Sequence, residues 1–143
     1  MKRVRFAVAV SILMMLTSFS SLASQVLVTE RHVAYQEKPA KMTLDVHYLK
    51  NSQGQRPALV LIHGGAWRGL DKSNFTWVAK EAAKHGYVAF NVNYRLAQQA
   101  KYPAAVKDCQ AAIRWVRAHA RTYHVDPARV GVWGESAGGH LAS

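Results

Sequence analysis

Cysteine is nearly missing from this 143-residue chain: Cys109 stands alone. A single thiol excludes an intrachain disulfide framework and any zinc site built from several cysteines, so stability has to come from packing. Acidic residues are also scarce, 8 Asp and Glu against 19 Lys and Arg, which gives a formal charge of +11. Beyond Arg3, however, no two basic residues are adjacent and no basic stripe is interleaved with aromatics. That scatter argues for a solvated surface and against a nucleic-acid partner. Internal repeats and interdomain linkers are absent, and the seven histidines show no metal-ligand spacing, so neither metal nor cofactor is expected. What remains is 50% hydrophobic and only 19% charged, too apolar for a disordered tail and of a length that suits one domain.

The nearly unbroken apolar stretch at residues 6–16 (FAVAVSILMML) is too short to span a membrane. It follows Lys2, Arg3 and Arg5 and leads to Ser21-Leu22-Ala23, small residues at the positions a signal peptidase reads. Residues 1–23 are therefore expected to be a secretory signal peptide cleaved after Ala23, with a secreted or periplasmic product starting at Ser24. No cysteine follows the apolar stretch to carry a lipid, so no membrane attachment is expected after cleavage. Removal takes the 19 basic residues to 16 against the same 8 acidic ones, a net +8.

Residues 26–35 and 41–49 are rich in β-branched and aromatic residues and read as half-buried strands, paired antiparallel. Asn51 to Pro57 is a turn cluster, and Ala58 to Ile62 is continuously apolar, as in a strand covered on both faces. A helix is expected from Asp71 or Ser73, both good N-caps, to a stop at Gly86; Tyr87 to Asn93 reads as the next strand. A second helix opens near Pro103 and carries Ala105, Cys109, Ala112, Ile113, Val116 and Ala120 on one face, so Cys109 is expected buried. Arg114, Arg117 and Arg121 fall on its solvated side, and Asp108 is read as a surface residue. Asp126-Pro127 is a turn before a short strand, Arg129 to Gly134. Strands alternating with helices imply the α/β class: a mostly parallel sheet with helices on both faces and function in the loops at the carboxyl ends of its strands.

Two of those loops carry chemistry. Gly134-Glu135-Ser136-Ala137-Gly138 places Gly-x-Ser-x-Gly between an apolar strand and a helix-compatible tail; chance supplies such a pentad roughly 0.03 times in a chain of this composition. A sharp strand-to-helix turn strains the serine backbone, and Gly134 and Gly138 leave it room. The turn lifts the Ser136 hydroxyl above the sheet, with the Ala137 N–H facing the place where an acyl oxygen would gain charge. The other loop, His63-Gly64-Gly65-Ala66-Trp67, bares backbone N–H groups that could complete that oxyanion site. His63 and Trp67 adjoin the site, His63 as an organiser of the loop.

Together with Asn93-Tyr94-Arg95-Leu96 and Tyr102-Pro103-Ala104-Ala105, these motifs resemble the α/β-hydrolases of the hormone-sensitive-lipase-like and feruloyl-esterase-like carboxylesterase group. The resemblance spans about residues 40 to 143. It departs at Ala97-Gln98-Gln99, where many relatives carry Ala-Pro-Glu. It implies a carboxylic ester hydrolase in which Ser136 attacks the carbonyl while the N–H groups of Gly64, Gly65 and Ala137 hold the oxyanion. Its substrate would be a small-molecule or carbohydrate-linked ester. A lipase or peptidase of the same fold, or a non-catalytic binding protein that keeps the turn, are the alternatives.

In this fold the acid and the histidine base follow the serine along the chain, and only seven residues follow Ser136. His140 lies one helical turn on and is expected to point into the helix packing, away from the serine hydroxyl. Residues 24–143 are thus expected to be the N-terminal part of a single α/β-hydrolase domain, inactive alone.

Overall fold

The computed structural model describes residues 26–143; the expected signal peptide and the mature start at Ser24 lie outside the described residues. The strands are β1 (Leu27–Gln36), β2 (Met42–Leu49), β3 (Arg56–Ile62), β4 (Val88–Val92) and β5 (Val125–Gly134). A 3-10 turn (Lys72–Phe75) leads into α1 (Thr76–Lys84), followed later by α2 (Ala104–Ala118) and α3 (Ala137–Ala142). The sheet order is β1-β2-β4-β3-β5. β1 and β2 form the expected antiparallel pair, β2 also runs antiparallel to β4, and β3 is parallel to both β4 and β5.

Side-chain alternation along the strands divides the core into two layers. Val60 and Ile62, with Leu44, Val46 and Phe90, meet Cys109, Ala112 and Val116 of α2 on one face. Leu61 and Ala89 meet Phe75 and Ala79 on the other, beneath α1. A strand buried on both faces has to be apolar throughout, which is why residues 58–62 show no polar alternation. Cys109 is buried as expected, and burial pushes its thiol up to about 12, leaving it unreactive at neutral pH. Gly86, at φ +87°, ends the α1 connection.

Several boundaries and placements differ from the sequence expectation. β3 begins at Arg56 because that residue's N–H donates to the His124 carbonyl (2.8 Å), while its guanidinium is buried against the Leu49 and Tyr123 carbonyls. The first helix opens as a 3-10 turn capped by Asp71, whose carboxylate accepts from the Ser73 N–H at 2.7 Å. Asp126-Pro127 lies inside β5: residues 126–129 bulge out between the Arg56–Val125 and Ala58–Val130 pairs, with Asp126 accepting from the Ala128 N–H. Asp108 is fully buried, not a surface residue. Both of its oxygens bind the Arg95 guanidinium, at 2.7 and 2.8 Å, and it accepts the Arg95 backbone N–H as well. A carboxylate can be buried when its charge and lone pairs are satisfied in this way.

Candidate active site

Ile62 of β3 and Gly134 of β5 are directly paired in the parallel ladder. The two chemically loaded loops therefore leave the sheet side by side at its carboxyl edge. Their contact is backbone against backbone. A side chain at Gly138 would run into the Ile62 and His63 carbonyls, and one at Gly134 would run into Gly138. A Cβ on Gly64 would stand 3.0 Å from the Glu135 carbonyl oxygen and 3.5 Å from Ser136 Cβ. The glycines thus do more than permit a turn; they let the first loop touch the second.

Ser136 sits at the N-cap of α3 with φ +53° and ψ −119°, a conformation that L-residues rarely hold. The turn is closed by the Gly138 N–H donating to the Glu135 carbonyl (2.8 Å) and the His140 N–H to that of Ser136 (3.1 Å). Ser136 and Glu135 are exposed while Ala137 and Gly138 are buried, so the strained turn leaves the serine on the surface and anchors the helix beneath it.

The first loop is held from below. His63 is buried and stacks on Tyr94, ring centroids 4.3 Å apart. Its Nδ1 lies 2.9 Å from the Gly64 carbonyl, which can only accept, so Nδ1 carries the proton. Burial holds its imidazole below the ordinary histidine value, partly offset by that hydrogen bond. The Tyr94 hydroxyl reaches both the His63 and Gly64 carbonyls, at 2.9 and 3.2 Å. In a trans peptide the carbonyl and the following N–H point opposite ways. Anchoring those two carbonyls on Tyr94 accordingly turns the Gly64 and Gly65 N–H groups away from it. Gly65, at φ +96°, then tightens the loop by accepting from the Arg68 and Gly69 N–H groups.

Trp67 is partly exposed and meets His140 edge to face, centroids 5.4 Å apart. His140 is exposed, not packed under its helix as expected, and meets the Trp67 ring there. Both line a cavity of about 320 Å³ beside the first loop, together with Arg68, Tyr102, Val106 and Leu141. Among the described residues no histidine is hydrogen-bonded to Ser136: His47 bonds Thr29, His63 bonds Gly64, His85 bonds Glu81 and His119 bonds Trp115. No group of three or more His, Cys, Asp or Glu that could hold a metal occurs among the described residues.

Sequence reasoning missed the supports. Lys72 and Asp45 form a buried ion pair at 2.8 Å, and the Lys72 N–H donates to the Asn93 side chain. Together these tie the segment after the first loop to β2 and to the end of β4. Residues 41–49 read as a half-buried strand, but Asp45 and His47 are buried along with Leu44 and Val46, so the alternation in β2 does not mark a solvent-facing side; only Asn91 interrupts an otherwise apolar strand.

Comparison with known proteins adds three findings. The family model described as BD-FAE matches residues 44–143. Carboxylesterase NlhH of Mycobacterium tuberculosis (strain H37Rv) is 33% identical over 124 residues, covering 85% of this chain and 38% of that protein. The thermophilic esterase Est2 of Thermogutta terrifontis superposes with a TM-score of 0.75 at 32% identity, over 80% of this chain and 42% of that one. The same esterase phosphorylated by paraoxon superposes at 0.73, with 30% identity and coverage of 80% and 45%. The chain spans about two fifths of the length of these relatives.

Proposed function

Since the chain belongs to the BD-FAE family and has the α/β-hydrolase fold, we propose that it is the nucleophile-bearing part of a serine hydrolase of carboxylic esters. Ser136 Oγ attacks the acyl carbon, its proton passes to a histidine, and the carbonyl oxygen becomes an oxyanion held by the N–H groups of Gly64, Gly65 and Ala137. Collapse expels the alcohol, which takes the proton back from the histidine, and leaves an acyl-enzyme. Water, deprotonated by the same histidine, then releases the acid and frees the serine. The histidine and its orienting acid belong to the whole protein, since no described residue takes either place beside Ser136. The single observation that carries this reading is the close approach of Gly64 to the Glu135–Ser136 turn beside a strained, exposed serine, which supports an oxyanion site between the two loops.

The cavity of about 320 Å³ beside Trp67 and His140 suits one arm of a small ester, including one linked to a sugar. The basic start and apolar stretch of residues 1–23 support export of the protein. Because Est2 is phosphorylated by paraoxon, the same class of reagent provides the test. A fluorophosphonate probe incubated with the whole protein should label Ser136, with loss of ester turnover in step. Ser136→Ala should remove labelling and lower kcat by about 10⁴-fold or more. A folded whole protein that stays unlabelled would instead be a binding protein on a hydrolase scaffold.

A further inference from the structure

At the opposite end of the sheet from Ser136, Arg56 is 7% exposed and makes no ion pair among the described residues. Its Nη1 and Nη2 donate to the Leu49 and Tyr123 carbonyls, both at 2.9 Å, while its buried Nε has no partner. Carbonyl oxygens satisfy donors but do not neutralise a guanidinium, and a buried charge without a counter-charge is costly. The carboxylate of Glu30 is occupied by the Tyr123 hydroxyl, at 3.1 Å, and by the hydroxyl of the Tyr48 ring, at 2.7 Å. The Arg56 guanidinium stands over that ring, 5.5 Å from its centroid.

Beside Arg56 lies a cavity of about 300 Å³, formed where the turn after β2 meets the segment entering β5. Lys50 and Arg56 contribute two permanent positive charges to its wall, Ser52 and Thr122 contribute hydroxyls, His124 adds an imidazole, and no carboxylate takes part. Elsewhere four of the eight acidic residues are committed to cations: Asp45 to Lys72, Asp108 to Arg95, Glu81 to Lys84 and Asp126 to Arg129. This cavity keeps its charge uncompensated. We propose that it is an anion-binding site for a phosphate group, either inorganic phosphate or the phosphomonoester headgroup of a lipid. A phosphate dianion matches the two cations, and its oxygens can accept from the Lys50 ammonium and the Thr122 hydroxyl, while the Ser52 hydroxyl already donates to the Leu49 carbonyl at 3.1 Å. The site is remote from the Ser136 loops and does not rest on the hydrolase reading.

The test titrates the whole protein with inorganic phosphate, with chloride balanced to hold ionic strength constant, and follows heat and Tm. Saturable binding that raises Tm is expected. Exposed Lys50 can be changed without disturbing the core, so Lys50→Glu should fold with an unaltered Tm in chloride and bind phosphate about tenfold more weakly. Arg56→Gln should weaken binding further, whatever its own cost in stability. A second arm sediments the protein with phosphatidylcholine vesicles with and without phosphatidic acid. Phosphatidic acid-dependent binding that Lys50→Glu lowers assigns the headgroup as the source; binding in the first arm alone assigns the free ion. The inference is overturned if neither arm shows saturable binding, or if Lys50→Glu binds as well as the parent.

Discussion

Tyr94 decides more of the candidate site than its place in Asn93-Tyr94-Arg95-Leu96 suggests. One hydroxyl holds the carbonyls of two successive peptides, and through peptide planarity orients the Gly64 and Gly65 N–H groups. Tyr94→Phe keeps the stack on His63 and deletes only that anchor. The expected result is a loss of about 1–2 kcal/mol in unfolding free energy, because the His63 carbonyl loses its donor while the Gly64 carbonyl keeps only that of His63 Nδ1. In the whole protein kcat should fall about tenfold with KM little changed, because a loosened oxyanion site loses more in the transition state than in the ground state. A purely structural role would move Tm and leave kcat alone. His63 and His47 give the second prediction at this scale. Burial lowers the proton affinity of both below the ordinary 6.5, and His47 Nε2 is buried without a partner. A histidine whose pKa is lower folded than unfolded gives the unfolded chain the greater appetite for protons. Their contribution is therefore complete above about pH 6.5 and is lost as pH falls from there towards the folded values. Thermal melts from pH 7.5 down to 5 should show this decline, and His47→Gln, which cannot titrate, should flatten it. An unchanged slope in that variant would remove His47 from the account.

At the level of elements, hydrophobic period made the strands, the buried face of α2 and the loaded loops readable. It failed where a polar residue is buried by a partner distant in sequence. Asp108 stands on a helix turn whose neighbours are apolar, and a lone carboxylate there reads as solvent-facing until Arg95, from the loop after β4, is known to reach it. Likewise the turn chemistry of Asp126-Pro127 is genuine, but its four-residue bulge is accommodated within β5 instead of preceding it. Side-chain roles at the site were legible where glycine imposes close approach and illegible where support comes from beneath, as with Tyr94, Lys72 and Asp45. Asp108 also joins Gln36 of β1, at 3.1 Å, so it links α2 to the loop after β4 and to the antiparallel edge of the sheet. Asp108→Ala should cost about 3–5 kcal/mol in urea unfolding, because Arg95 is left half-buried without its counter-charge. Arg95→Met alone should cost a similar amount by stranding Asp108. The double variant Asp108→Leu, Arg95→Met should recover part of the loss, since it removes both charges. Additive losses in the double variant would show that the two residues act independently.

In the molecule as a whole, β4 is the most enclosed strand, buried throughout between β2 and β3, and β3 beside it is flanked by β4 and β5. β5, by contrast, has a hydrogen-bonded neighbour on one side only among the described residues. Along it, Val130 and Val132 are half-buried and Trp133 is 43% exposed, with its ring edge against Phe75. A parallel strand of this character belongs inside a sheet, and its open row of N–H and C=O groups is a template for another chain. The strand also carries the turn that bears Ser136, so the geometry of the candidate site rests on the least protected ladder. The 143-residue polypeptide expressed by itself should consequently self-associate through β5, giving light-scattering masses above that of one chain and a weak near-ultraviolet tryptophan signal. Val132→Lys places a charge on that strand and should shift the population towards monomer. In the whole protein the same substitution should instead destabilise, by about 1–3 kcal/mol, because there it would bury an unpaired ammonium. A parent polypeptide that is monomeric at high concentration and turns over esters at full rate would contradict both the exposed-edge argument and the assignment of the proton-accepting histidine to the rest of the protein.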